Sequence, residues 1–292
     1  MVSLFRPREY YRPKDLREAT WLLSSFGRKA RVIAGGTDLL VDKPPEVECL
    51  VDISNLNLGY IRKDKDGINI GAATLLGLIE SSPILSSGPY IVVSEAVSML
   101  ATPTIRNMAT IGGNICNASP AADMPLALMV LDATMKIAGL KGSRILPIGD
   151  FFQDVKKTIL DDGELLVEIH IPVSSKNSGT AFQKLRHHQA SVDLAIVNVA
   201  TKLTCSDNLC EDARIALGAV AKTPIRAKKA EKLLIGKKID TALMQRAAEA
   251  ASEEAKPIDD VRASAEYRKK MVAVLARRAL EASFKRCTTW QK

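Results

Sequence analysis

The first sixty residues alternate between helix-like and strand-like spacing of apolar side chains. Five apolar residues lie at three- and four-residue spacing and would share one helical face: Leu16, Ala19, Leu22, Leu23 and Phe26. They predict a helix over residues 14–26. Short apolar runs at 31–34 and 49–53 predict strands, and a short helix is expected after Gly36. This alternation is typical of a small α/β unit, which we expect as a lobe over residues 1–58.

From residue 59 onward the pattern changes to short alternating strands mixed with helices. The predicted helices cover residues 74–80, 89–100 and 123–132, and the predicted strands cover 67–72, 133–139 and 163–172. This mixture indicates an α+β lobe over residues 59–176. The segment PVSSKNSG at 172–179 has the proline, serine, asparagine and glycine content of a surface connection. We therefore expect one domain over residues 1–176, built of two lobes, and a second over 177–292.

In the second domain, strands precede helices. Strands are predicted at 180–186, 193–204 and 210–218, and helices at 226–235, 240–255 and 264–286. This order favours a smaller α+β domain, an antiparallel sheet covered on one face by helices. In the last helix, apolar residues are predicted to face inward and cations, Arg268 among them, to face water. Docking of this basic face to an acidic partner subunit is the alternative.

Composition narrows the possible functions. The 292 residues carry 41 Lys and Arg against 33 Asp and Glu, a net charge of +8. Such a charge suits nucleic acid, an anionic ligand or an acidic partner. Only 4% of the residues are aromatic, and single-strand binders stack bases on aromatic rings, so nucleic-acid binding is disfavoured.

The cysteines and the longest apolar stretch indicate a cytoplasmic protein. Five cysteines form no CxxC pair and are odd in number, which argues against a disulfide framework and against a metal or cluster site. Cys205 and Cys210 bracket the polar turn SDNL and could face each other across a hairpin, although coincidence is the simpler interpretation. The apolar stretch 125–140 contains Asp132 and Lys136, so no membrane span is expected.

Two glycine pairs are the strongest candidates for a binding site. RVIAGGTDLL at 31–40 and TIGGNICNASPAAD at 110–123 both place Gly-Gly after an apolar residue and before small polar side chains. Glycine lets backbone amides converge on an anion, and a diphosphate is the natural occupant. Taken alone, each pair is weak evidence, because most Gly-Gly pairs are turns or helix caps. Neither matches the GxGxxG or P-loop fingerprint.

Several longer runs carry a family resemblance that spans nearly the whole chain in order. They read F5…YYRPKDLREA, VIAGGTDLL, TPTIRNMATIGGNICNASPAADMPLALMVLDA, DGELLVEIHIP, FQKLRHHQASVDLAIVNVA and AEYRKKMVAVLARRAL. In these runs the chain resembles the FAD-binding medium subunits of the xanthine dehydrogenase and carbon monoxide dehydrogenase family. The sequence departs from relatives at His187 and His188, where arginine is common.

The resemblance implies a PCMH-type FAD-binding domain with FAD extended between its two lobes. By motif matching, the implied cofactor-binding residues are Ala34, Gly35, Gly36, Thr37, Asp38, Thr110, Gly112, Gly113, Asn114, Ser119, Asp123, Leu166 and Lys184. Three of these have ordinary alternatives: Asp123 as a helix N-cap, Leu166 as a core residue and Lys184 as an outward strand lysine. We expect Arg106, just before the second glycine pair, to face water or a partner subunit.

The resemblance also implies the chemistry and the partners. The residues themselves offer no catalytic triad, carboxylate pair or metal cluster, so a bound cofactor must carry the reaction. The three histidines lie far in sequence from the first glycine pair, which favours noncovalent FAD. Family members work with a large molybdenum-cofactor subunit and a small subunit holding two [2Fe–2S] clusters, as a dimer of heterotrimers. The FAD subunit passes electrons to a soluble or membrane acceptor.

Two other functions stay open. One is a stand-alone flavin reductase of the same fold, such as UDP-N-acetylenolpyruvoylglucosamine reductase. The other is a basic, non-enzymatic binding or assembly protein. The run from Ala265 to Leu280 matches the dehydrogenase subunits and not the reductase.

Overall fold

The structure, a computed structural model, describes residues 5–186 and 194–289. Its first lobe is a parallel sheet of order β1-β3-β2, formed by β1 (Glu9–Tyr11), β2 (Ala30–Ile33) and β3 (Cys49–Asp52) with helices α1 (Leu16–Phe26) and α2 (Leu39–Asp42). Asp15 caps α1 by accepting a hydrogen bond from the Glu18 amide at 2.8 Å, which is why the helix begins at Leu16. Strand β1 was not predicted, because all its residues are exposed. The predicted α/β arrangement is confirmed.

The second lobe is a five-stranded antiparallel sheet of order β4-β5-β10-β6-β7, with a separate β8–β9 hairpin. Its strands are β4 (Ile61–Lys63), β5 (Gly67–Gly71), β6 (Thr134–Gly139), β7 (Gly142–Pro147), β8 (Phe152–Asp154), β9 (Lys157–Thr158) and β10 (Leu165–Pro172). Its helices are α3 (Leu76–Glu80), α4 (Ile91–Ser98), α5 (Pro103–Arg106), α6 (Ile111–Cys116) and α7 (Met124–Val130). All seven residues of α7 are buried, so this helix forms the centre of the lobe's core.

The C-terminal part is a four-stranded antiparallel sheet in chain order followed by three helices. Its elements are β11 (Ser178–Leu185), β12 (Val197–Ser206), β13 (Leu209–Gly218), β14 (Ile225–Arg226), α8 (Lys228–Leu234), α9 (Thr241–Glu254) and α10 (Ala265–Thr289). The predicted helical cover on one face is confirmed. The opposite face is covered as well, because Phe182, Ala200 and Ala216 join the core built around α7.

Two expectations about surface residues are wrong. Arg268 of α10 is 2% exposed and donates to the carbonyls of Ile196 and Ala219, so it holds the sheet instead of facing water. Arg106 is also buried, and its guanidinium binds both carboxylate oxygens of Glu80 at 2.8 and 3.0 Å. Charge patterns along a helix cannot reveal such long-range partners.

Cys205 and Cys210 are opposite each other across the β12–β13 hairpin; both side chains are fully buried, and neither forms a disulfide bond. No helix in the described part of the chain is both long and apolar enough to cross a bilayer.

Candidate functional site

The first glycine pair lies in a loop at the carboxyl end of β2. We call residues 34–38 loop 1. Gly36 has a φ of +69°, a backbone conformation that favours glycine. None of the amides of residues 35–38 has a hydrogen-bond acceptor among the described residues. A row of unpaired amides at the carboxyl edge of a parallel sheet is a recognised arrangement for binding an anionic group.

The second glycine pair begins α6, and we call residues 110–119 loop 2. Thr110 is the N-cap of this helix, and its hydroxyl accepts from the Gly113 amide at 3.1 Å. The amides of Ile111 and Gly112 donate to the carbonyls of Thr74 and Ala72 at 3.0 and 2.8 Å. The first amides of loop 2 are therefore already paired within the chain, unlike those of loop 1.

Loop 2 instead presents a bare backbone surface and an unpaired side-chain oxygen. Gly113 is exposed, whereas its neighbour Gly112 is buried. The buried Oδ1 of Asn114 has no hydrogen-bond partner in the described structure. A bound group with a hydrogen to donate would satisfy it, so the residues of this loop fit a polar ligand.

The two loops lie against each other. A Cβ on Gly35 would be 1.9 Å from the carbonyl oxygen of Met108, just before loop 2. Asn117 donates its Nδ2 to Asp38 Oδ1 at 2.9 Å, and Lys156 Nζ donates to Asn117 Oδ1 at 2.6 Å. The structure therefore brings the two glycine pairs, which are distant in sequence, to one place between the lobes.

Asp38 joins these loops instead of capping α2. It occupies the N-cap position but makes no side-chain capping bond. Desolvation raises the pKa of its carboxyl, with the Lys156 cation opposing that effect. Asn117 and Lys156 were missed by sequence reasoning, because a polar residue in a loop carries no periodic signal for a long-range contact.

A second missed group lies one strand away from loop 1. Asp52 ends β3 opposite Ile33 and accepts hydrogen bonds from the Tyr10 hydroxyl and from Arg12 Nε at 2.5 and 2.8 Å. Although burial opposes ionisation, hydrogen bonds from Tyr10, Ser54 and Arg12 lower the pKa of Asp52. An ionised carboxylate and its cation thus lie beside loop 1.

Asp123 and Lys184 meet in a buried cluster between the two halves of the chain. Lys184 Nζ donates to Asp123 Oδ2 at 2.6 Å, and each side chain is 3% exposed. Asn198 Nδ2 donates to Asp123 Oδ1 at 2.7 Å. Burial raises the pKa of the Asp123 carboxyl, with Lys184 and Asn198 working against it.

This cluster corrects two of the alternatives considered from sequence. Asp123 occupies the N-cap position of α7 without a side-chain capping bond, and Lys184 points inward instead of outward.

Two other predicted residues lie at the margins of this arrangement. Leu166 is 2% exposed and pairs with Ile137 across β10 and β6, as a core residue. Ser119 accepts a hydrogen bond from the Ala121 amide at 3.3 Å in the turn that leads to α7.

Of the three histidines, His170 contacts Asn69 at 2.8 Å, while His187 and His188 lie outside the described residues.

Two family descriptions match the chain. Residues 5–174 match the FAD binding domain in molybdopterin dehydrogenase, and residues 180–283 match the CO dehydrogenase flavoprotein C-terminal domain. The first match contains both glycine loops, and Lys184 and Asn198 belong to the second.

Similar proteins include two medium chains of dehydrogenases. The chain is 36% identical to the carbon monoxide dehydrogenase medium chain of Afipia carboxidovorans, over 94% of this chain and 95% of the relative. It is 35% identical to the glyceraldehyde dehydrogenase medium chain of Sulfolobus acidocaldarius, over 93% of this chain and 96% of the relative.

A solved structure agrees with these matches. The carbon monoxide dehydrogenase of Hydrogenophaga pseudoflava, in a form lacking the Mo-pyranopterin moiety of the molybdenum cofactor, superposes with a TM-score of 0.92 at 34% identity. The similarity covers 98% of this chain and 100% of that chain. Sequence, fold and site together therefore assign this chain to the family of FAD-binding medium subunits of molybdenum hydroxylases.

Proposed function

We propose that this chain holds FAD noncovalently between its two lobes and passes electrons from the [2Fe–2S] clusters of a small subunit to an external acceptor. The observation that carries this proposal is the row of unpaired amides in loop 1, held against loop 2. Such a row complements a diphosphate, the most highly charged part of FAD. FAD supplies the redox chemistry when bound, and the chain's own residues bind and orient it.

The proposed FAD site contains all the cofactor-binding residues implied by the family resemblance. In loop 1, Ala34, Gly35, Gly36, Thr37 and Asp38 surround the diphosphate, and the amides of 35–38 are its donors. Loop 2 contributes Thr110, Gly112, Gly113, Asn114 and Ser119, chiefly through the open backbone at Gly113 and the side chain of Asn114. Asp123, Leu166 and Lys184 complete the site, and we place the domain boundary after residue 176.

We further propose that the chain works beside a large molybdenum-cofactor subunit and a small [2Fe–2S] subunit, in a cytoplasmic dimer of heterotrimers. The designation of its relatives as medium chains supports this assembly. Identity is higher to two carbon monoxide dehydrogenase medium chains, at 36% and 34%, than to two xanthine dehydrogenase FAD-binding subunits, at 30% and 31%. We therefore use the xanthine dehydrogenase type only as the name of the broad oxidoreductase class, which includes the carbon monoxide dehydrogenases, and propose that the large subunit selects the substrate.

The test compares two glycines under equal backbone strain. Gly36 and Gly236 have φ values of +69° and +75°, so alanine at either costs about 1–2 kcal/mol of stability. Only Gly36 lies in loop 1. We expect Gly36→Ala to weaken FAD binding, measured by flavin fluorescence titration of the stripped chain, and Gly236→Ala to leave the affinity unchanged. Equal affinities in both variants would contradict the proposed diphosphate site.

The assembly is tested on the native complex. We expect three subunit masses, release of intact FAD on acid denaturation, and reoxidation of the reduced complex by one of NAD, quinone, ferredoxin or oxygen. Isolation as a lone chain that oxidises NADPH with its own substrate would indicate the stand-alone reductase. A colourless chain that cannot be reconstituted with FAD would indicate a binding or assembly protein.

A further inference from the structure

We infer that Asn198, in the C-terminal domain, is a positioning residue of the cofactor site that acts through Asp123. This inference rests on the proposed FAD site. Asn198 lies on β12, outside the residues of the FAD-binding family match. Its side-chain hydrogen bonds go to Ala122 and Asp123, and not to loop 1 or the first residues of loop 2.

The segment between loop 2 and α7 is anchored by the C-terminal sheet. The Ala219 amide donates to the Pro120 carbonyl at 2.7 Å. Asn198 Nδ2 donates to the Ala122 carbonyl at 3.3 Å and to Asp123 Oδ1 at 2.7 Å. Residues 120–123 are therefore held in place by the C-terminal domain, although they belong to the FAD-binding match.

Asn198 makes these contacts while leaving its own oxygen unpaired. The side chain is fully buried, and Oδ1 has no hydrogen-bond partner in the described part of the chain. A buried, unpaired polar atom is destabilising. The amide orientation is nevertheless determined, because only Nδ2 can donate to two oxygens of the opposite domain. We therefore interpret Asn198 as a residue that orients Asp123 at a cost to the stability of the folded protein.

The neighbouring strand leaves room for this side chain. Gly218 lies opposite Asn198 in the β12–β13 register. A Cβ on Gly218 would be 2.3 Å from Asn198 Oδ1, so a larger residue there would displace the amide from Asp123. The position of Asp123 therefore depends on a matched pair of residues, both in the C-terminal sheet.

The matched control is Thr201, which lies on the same strand and is also fully buried. Its hydroxyl bonds to Ser283 at 2.7 Å, and its side chain has no contact with Asp123. Both Asn198→Ala and Thr201→Val remove one buried hydrogen-bonding group from β12. Only the first removes a hydrogen bond to the segment between loop 2 and α7.

The full-length chain is stripped of FAD, and three quantities are measured: the Tm of the apoprotein, the Kd for FAD and the visible circular dichroism of the bound flavin. For Asn198→Ala we expect the Kd to rise by about tenfold or more, the size of one lost hydrogen bond to a charged group, with a changed dichroism spectrum. For Thr201→Val we expect a lower Tm with unchanged Kd and spectrum.

Asn198→Ala with a lower Tm but wild-type Kd and dichroism would overturn the inference, since the residue would then be purely structural. If Asn198→Ala does not fold, Asn198→Ser is measured against the same criteria. Failure of the wild-type chain to bind FAD would be a different result, because it would remove the proposed function itself.

Discussion

At the scale of single residues, the two Gly-Gly pairs share the role of their first glycine. The first glycine of each pair lies against a backbone carbonyl, with a Cβ on Gly35 falling 1.9 Å from Met108 O and one on Gly112 falling 2.6 Å from Ala72 O. The second glycines differ: a Cβ on Gly36 would lie 3.2 Å from the Leu40 side chain, whereas one on Gly113 would come near only the Thr110 hydroxyl, at 3.0 Å. In both pairs the first glycine joins backbone segments, and in loop 2 the second glycine opens the proposed site.

This division predicts unequal costs for alanine in loop 2. Gly112→Ala should lower the free energy of unfolding by about 2–3 kcal/mol, because a methyl group must displace rigid backbone. Gly113→Ala should change it by less than about 1 kcal/mol, since better helix propensity offsets disturbance of the Thr110 cap. Urea denaturation of the apoprotein, followed by far-ultraviolet circular dichroism, measures both. Similar costs would show that the two glycines do not differ in role.

The buried thiols make a second prediction at this scale. A hydrogen bond with Cys210 and then burial raise the pKa of Cys205 to about 12, and Cys210 and Cys287 are also fully buried. The thiolate is the reactive form, so native protein should react with a thiol reagent such as DTNB far more slowly than urea-unfolded protein. Rapid labelling of Cys205 in native protein, located by mass spectrometry, would contradict this burial.

Sequence reasoning identified these glycines because a Gly-Gly pair after an apolar run is a local signal. It could not find Asn198, Asn117 or Lys156, whose importance comes from partners 39 or more positions away. An asparagine inside the apolar run DLAIVNVA was the available signal for Asn198, because a buried amide needs partners from another element.

At the scale of elements, a network of polar contacts joins loop 1, loop 2 and the β8–β9 hairpin. We call its residues, Asp38, Asp42, Asn117 and Lys156, the latch. Lys156, at the tip of the hairpin, donates to Asn117 Oδ1 at 2.6 Å and to Asp42 Oδ2 at 3.0 Å. Its side chain is 48% exposed, so these contacts contribute little to stability. They nevertheless bridge both lobes at the proposed cofactor site.

We therefore expect Lys156→Met to accelerate FAD dissociation while changing the free energy of unfolding by less than about 1 kcal/mol. The dissociation rate is measured from the recovery of flavin fluorescence on dilution of the holoprotein. The control is Lys222→Met, which removes an exposed contact at 3.4 Å to Asp154 of β8 without touching either loop. If both variants release FAD at the wild-type rate, the latch has no part in retention.

The turn before α10 gives a pH-dependent prediction. Although partial burial opposes ionisation, hydrogen bonds from Arg262 and Arg268 lower the pKa of Asp260 well below its usual range. A depressed folded-state pKa stabilises the native protein above the unfolded value, about 3.9, and this contribution is lost as pH falls below it. Asp260→Asn should destabilise the protein at pH 7 and reduce the loss of stability between about pH 4 and pH 2. Urea midpoints across this range measure both effects, and parallel curves would contradict the assigned role.

Most of the predicted elements have a buried face. Helix α1 and strands β10 to β13 alternate or repeat apolar residues because one side of each packs on a core. Strand β7 has no buried residue and β14 has only two residues, so neither has a pattern to detect. Helix α6 was missed because its glycines have low helix propensity, and Thr110 capping and contacts with residues 72 and 74 determine it instead.

At the scale of the whole molecule, the C-terminal sheet is shared between two cores. Side chains of β11, β12 and β13 alternate between the α7 core and the core beneath α9 and α10. Sequence alternation predicted a sheet with one covered face, because it cannot distinguish a polar face in water from small residues packed on another domain. Ala200 and Ala216 are such residues, and both are fully buried.

Glu95 of α4 binds polar groups of the C-terminal domain, and its removal tests whether the two domains unfold cooperatively. One carboxylate oxygen accepts from the Phe182 amide at 3.0 Å, and the other accepts from Arg286 Nη2. Arg286 also donates to the Thr180 carbonyl. A single carboxylate therefore ties the first domain to both β11 and α10.

Because removing one partner of such a cluster leaves polar groups unpaired at the interface, Glu95→Ala should cost about 2–4 kcal/mol. If the interface couples the two domains, the single calorimetric transition expected of the wild-type apoprotein should broaden or split in this variant. Glu281→Ala is the control, since it breaks only the Arg277 pair within α10 and should cost less than about 1 kcal/mol. A single, equally sharp transition in Glu95→Ala would show that the two domains stay coupled without this carboxylate, through the apolar packing around α7.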